Sequence, residues 1–154
     1  MKTIGPKPKT DRPRPLYENA ETLSAEQHTA FAIQAAWGVD LHKLPISYHV
    51  DYAVCRQNSK DILGWLEVKK RDADFNTYPD IVLSVLKYNA GRSMAMTTGL
   101  KFVFAIELTD GIFMAELQEE PVPPIEYGGR TTKTRDSGDV EPVVKIPMAR
   151  FEAI

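Results

Sequence analysis

Apolar positions in this chain recur with two periods, about 3.6 residues and two residues, and the changes of period mark out its elements. Between residues 21 and 37 an Ala/Phe/Ile stripe follows the helical period; Ser24 and Gln27 have the S-x-x-Q spacing of a capping box, and Gly38 supplies a stop. The pattern then shortens. Val39 to Leu44, Ile46 to Arg56 and Ile62 to Lys70 are rich in Val, Ile, Tyr and Trp and are separated by Pro45 and the polar loop from Gln57 to Asp61, which predicts a strand followed by a hairpin. Thr77 and Asp80 again resemble a capping box, Pro79 suits a first turn, and Ile81, Val82, Val85 and Leu86 fit helical spacing. A second helix is therefore expected from Thr77 to about Thr97, with the Pro79-Asp80 dipeptide as its start. Lys101 to Leu108 and Ile112 to Leu117 read as two strands joined across Thr109-Asp110-Gly111.

The ends and one internal stretch differ in composition. Residues 1 to 15 hold Lys2, Lys7, Lys9, Arg12 and Arg14 against Asp11 alone, with four prolines, so residues 1 to 20 read as a flexible basic arm. The stretch from 119 to 142 carries Pro-Val-Pro-Pro, a Gly128-Gly129 pair and a polar run, and reads as a mobile loop; residues 143 to 154 turn apolar again and read as a docking segment of the same domain. The core is then 21 to 118, a mixed α/β domain in the order α-β-β-β-α-β-β. At 154 residues and 43% hydrophobic content, one domain can bury a core without staples.

Charge and cysteine usage narrow the setting. A net charge of −2 excludes a uniformly basic coat for nucleic acid but permits a local basic patch. The single cysteine, Cys55, forms no internal disulfide, which points to a reducing, cytoplasmic compartment. No stretch approaches the ~18 apolar residues of a membrane span.

The candidate chemistry lies in the hairpin. Residues two apart on a strand share a face, so Glu67 and Lys69 project together while Leu66 and Val68 project oppositely. A hairpin centred on Ser59 sets Asp51 opposite Glu67, with Cβ atoms roughly 4.5 to 5.5 Å apart. Two carboxylates so close repel unless a cation lies between them, and hard oxygen ligands favour Mg²⁺, with Mn²⁺ as a substitute. Such an ion activates water and stabilises charge on a phosphate, and an ammonium two residues from a ligand can orient or deprotonate that water. Lys70 and Arg71 continue the strand and can grip a DNA backbone. Taken alone, Glu-Val-Lys in a strand is commonly a solvated ion pair.

An Asp on one strand followed by Glu-x-Lys on the next, after one helix and before another, resembles the PD-(D/E)XK nuclease superfamily. The run Val50-Asp51 followed by Gly64-Trp65-Leu66-Glu67-Val68-Lys69 is similar to archaeal-type Holliday junction resolvases and their phage relatives. The resemblance covers about residues 21 to 117. It implies a restriction-endonuclease-like fold, a central mixed sheet flanked by helices, and a Mg²⁺-dependent endodeoxyribonuclease. It further implies catalytic roles for Glu26, Asp51, Glu67 and Lys69, Glu26 being the additional acidic residue on the first helix with Glu21 as reserve, and Asp51, Glu67 and the Val68 carbonyl as metal ligands. Lys87 is the expected DNA contact on the second helix. A branched DNA substrate such as a four-way junction, and a homodimer that addresses two strands, complete the implied picture. The alternatives are a non-catalytic DNA-binding or assembly module of the same fold and a nicking or restriction-type nuclease acting on linear DNA.

Overall fold

The computed structural model describes residues 20–119, 121–129 and 140–154. Helix α1 (Ala20–Trp37) leads into β1 (Val39–Lys43), β2 (Tyr52–Arg56) and β3 (Ile62–Lys70). Strand β4 (Asp80–Ser84) and helix α2 (Val85–Thr98) precede β5 (Lys101–Leu108), β6 (Gly111–Glu116), β7 (Ile125–Gly129), β8 (Val140–Pro147) and β9 (Glu152–Ala153). Two sheets result, a six-stranded one in the order β1-β2-β3-β5-β6-β9 and a three-stranded one in the order β4-β8-β7. In the larger sheet β3 and β5 run parallel and the other pairs antiparallel, so β4 and α2 form the crossover that a parallel pair requires.

The centre of that sheet is buried on both faces, which explains the unbroken apolar run Phe102-Val103-Phe104-Ala105-Ile106. On one face Ala30 and Ile33 of α1 cover Tyr52, Val54, Leu66, Val103 and Ala105. On the other, α2 and the three-stranded sheet pack Leu83, Tyr88, Ala95, Val144 and Ile146 against Trp65, Phe102, Phe104 and Ile106. Gly91 of α2 is needed for this approach, since a Cβ there would lie 2.2 Å from the Phe102 ring.

Several sequence expectations change. Helix α1 begins at Ala20, so Ser24 and Gln27 lie inside it and do not form its cap. The stretch Ile46 to Arg56 is not one strand: Ile46–Tyr48 makes a 3-10 turn closed by His49 at φ 59, and only Tyr52 resumes the ladder. Residues 77 to 84 are not helical, and Pro79-Asp80 leads into β4. Ile81 and Leu83 are buried in alternation because Asp80–Ser84 pairs with the distant β8, from Asp80↔Pro147 to Ser84↔Val143. The run Ile-Val-Leu satisfies either period, and this long-range pairing decides between them. The true N-cap is Ser84, whose Oγ accepts the Leu86 N–H at 3.2 Å. Within the stretch expected to be a mobile loop, Ile125–Gly129 and the start of β8 pair as strands. Residues 143–154 supply the rest of β8, the core residues Met148 and Phe151, and the short β9. The basic arm up to residue 19 and residues 130–139 lie outside the described residues. Among those described, no helix is long and apolar enough to cross a membrane.

Candidate active site

The hairpin of β2 and β3 has the register expected from Ser59 near the sheet end: Tyr52↔Leu66, Ala53↔Trp65 and Val54↔Gly64, with a bulge at Val54/Cys55 nearer the turn. Continuing that register by one residue brings Asp51 opposite Glu67. Asp51 Oδ2 accepts the Val68 N–H at 2.8 Å, replacing the strand partner that β2 no longer provides. The N–H and C=O of one strand residue point to the same side, so the Val68 carbonyl also faces Asp51. Leu44 N–H donates to the Asp51 carbonyl at 2.8 Å and fixes the backbone there.

Glu67 is only 2% exposed. Its Oε1 pairs with Lys87 Nζ from the first turn of α2, while Oε2 is buried without a hydrogen-bond partner. Burial pushes its carboxyl up to about 8; the negative charge of Asp51 adds to this, and Lys87 opposes it. A buried, half-satisfied carboxylate beside a second carboxylate disfavours its own charge, and a divalent cation is the natural remedy. Among the described residues no three His, Cys, Asp or Glu side chains converge as a ready ligand set. Glu67, Asp51 and the Val68 carbonyl are protein donors that could hold an ion. These oxygen donors, with the orphaned Oε2 among them, fit Mg²⁺ or Mn²⁺.

Lys69 shares the face of Glu67. Its Nζ donates to the Val82 carbonyl of β4, and burial first, then the charges of Arg71 and Lys87, lower its pKa to about 7. An amine near neutrality exchanges a proton with water at little cost.

Glu26 reaches the same end of the sheet from the α1 side. Lys43 Nζ lies 2.7 Å from Glu26 Oε1 and 3.4 Å from Asp51 Oδ1, which joins the two carboxylates. Tyr52 sits alongside, its hydroxyl pKa raised by burial and by hydrogen bonding and charge from Glu26. Sequence reasoning missed Lys43. The signal that finds it is the β1–β2 register, Lys43↔Tyr52, which places it next to Asp51. Glu21 belongs to α1, but its side chain lies outside the described residues.

The other residues expected to meet DNA divide into two groups. Lys87 lies inside the site, paired with Glu67. Lys70, the last residue of β3, and Arg71 just after it are exposed: Lys70 Nζ is 3.2 Å from Glu107 Oε2, and Arg71 Nη1 donates to the Lys70 carbonyl at 2.8 Å. With Asp72, Glu107, Leu108 and Thr109 they line an open depression.

Comparison with known proteins bears on the fold and the family. The Holliday junction resolvase Hjc of the archaeal hyperthermophile Archaeoglobus fulgidus, solved at 1.6 Å, superposes with a TM-score of 0.55 at 16% identity, covering 88% of this chain and 93% of that one. At that identity the likeness concerns the fold, a restriction-endonuclease-like mixed sheet with flanking helices. No curated protein matches the chain in sequence. The family described as "Phage putative PDDEXK endonuclease" matches residues 12–154, nearly the whole length. The chain belongs to this phage PD-(D/E)XK endonuclease family.

Proposed function

We propose that this protein is a Mg²⁺-dependent endodeoxyribonuclease that hydrolyses phosphodiesters of branched DNA. The observation that carries the reading is the unpartnered, buried Oε2 of Glu67 beside Asp51. Asp51, Glu67 and the Val68 carbonyl would hold the ion. Bound there, it supplies Lewis-acid activation of water and neutralises charge that develops on the phosphate. Lys69 orients the attacking water and takes its proton at Nζ as the new P–O bond forms and the bond to the leaving oxygen breaks. Glu26 acts on this centre through Lys43 and Asp51 as a positioning residue.

Lys70 and Arg71 are suited to backbone phosphates outside the centre, and Lys87 to the phosphate at its edge. The basic arm adds charge that can follow the duplex. Branched DNA is preferred as substrate because both the local motif and the fold resemble junction resolvases. Paired cuts in a four-way junction need two sites, which a homodimer provides.

The test is cleavage of a labelled four-way junction and a matched linear duplex, with Mg²⁺ or EDTA. Wild type should cut the junction in pairs, dependent on Mg²⁺. Glu67→Ala and Lys69→Ala should each lower the rate by about 10²-fold or more. Equal cutting of the linear duplex would keep the nuclease and remove the junction preference. Binding without cleavage would favour a non-catalytic module.

A further inference from the structure

Glu26, Asp51 and Glu67 lie towards one end of the larger sheet without converging as one ligand set, and Lys43 and Lys87 reach them. The two are held differently. Lys87 pairs with Glu67 Oε1 from the start of α2. Lys43 contacts two carboxylates at once, and its Nζ rests 5.3 Å from the centroid of the Tyr52 ring. Its backbone is fixed by the pairing Lys43↔Tyr52. An ammonium bridging two carboxylates over an aromatic face has the electrostatic role of a bound cation.

The unsatisfied valence is on the other side. Asp51 Oδ1 faces Lys43 and Oδ2 holds the Val68 N–H, while Glu26 is engaged by Lys43 and Tyr52. Only Glu67 Oε2, among these, is without a partner. With Lys43 on Glu26 and Asp51 and Lys87 on Glu67, one divalent ion already more than balances the three carboxylates. A second divalent ion would have to share Glu26 and Asp51 with a positive charge already in place, which like-charge repulsion opposes.

We infer that Lys43 is a resident cation, its ammonium occupying the position in which a second divalent ion would bridge Glu26 and Asp51, so that the site takes one divalent ion per chain. This rests on the metal-dependent reading above and deepens it.

The experiment counts Mn²⁺ ions bound to wild type, Lys43→Met and Lys43→Arg, by calorimetric titration and by the paramagnetic resonance of free Mn²⁺. Thermal melts in EDTA establish that each variant is folded, and Lys43→Gln replaces Lys43→Met if the latter does not fold. Wild type and Lys43→Arg should bind one ion per chain, and the neutral variant should gain a second, weaker one. Two ions on wild type, or one on the folded neutral variant, would overturn the inference while leaving the metal-dependent nuclease in place. No Mn²⁺ on any of the proteins would overturn the metal reading and the inference together.

Discussion

At Glu67 the folded protein retains a proton, with a carboxyl near 8, that the unfolded chain releases near 4.5. A raised pKa contributes stability that is complete below the unfolded value and is lost as pH rises through the folded value. In EDTA, stability should therefore decline between about pH 5 and 8 through this group. The Glu67→Gln variant, which cannot ionise there, should gain on wild type across that window in thermal melts; a constant difference would contradict the burial argument. Asp51, Glu67 and Lys69 are legible in the sequence as neighbours because strand parity and a hairpin centre are local rules. Lys43 is not legible in the same way. It lies on the α1 face of the sheet and reaches Asp51 around the end of β2, a path set by a second register and by the packing of α1. Lys87 is expected as a DNA contact on the second helix, but its pairing with Glu67 emerges only with the crossover.

At the scale of elements, the strands were legible wherever their period was unambiguous, as in β3, β5 and β6. The start of α2 was not, because a local cap signal at Thr77 competed with a pairing to β8 some sixty residues away. Strand β7 was hidden for a related reason: the prolines before it and its own Gly128-Gly129 read as loop, and only its partner β8 makes it a strand. The junction of α2 with β5 offers a direct check. Gly91→Ala would push a methyl into the Phe102 ring, and overpacking of this kind costs roughly 1–3 kcal/mol. Urea denaturation should show that loss. Because α2 also carries Lys87, the variant should disturb the site as well as the core. Ser84→Ala, which removes the helix cap and the donation from Ser84 Oγ to Glu141 Oε2, should cost about 1 kcal/mol or slightly more.

Across the whole molecule, the site lies where the two faces of the larger sheet meet, with α1 contributing from one side and β4 and α2 from the other. Binding a cation there should stabilise the entire fold by mass action, by about 2.7 kcal/mol at a hundred times the dissociation constant. Added Mn²⁺ should therefore raise the melting temperature of wild type, and Glu67→Ala should lose most of that rise. The family and the mixed α/β core were visible in the sequence, because a few motifs in a set order identify them. The second sheet was not, since it joins β4 to β7 and β8 from far along the chain.

The parallel pairing of β3 with β5 also divides the site into parts of different origin. Asp51 and Glu67 are joined by a hairpin with a short turn, whereas Lys87 reaches Glu67 only through the crossover of β4 and α2. Loosening the packing of α2 on the sheet should therefore release Lys87 from Glu67 while leaving the two acids side by side, so the charge on Glu67 is governed by an element that its hairpin does not contain.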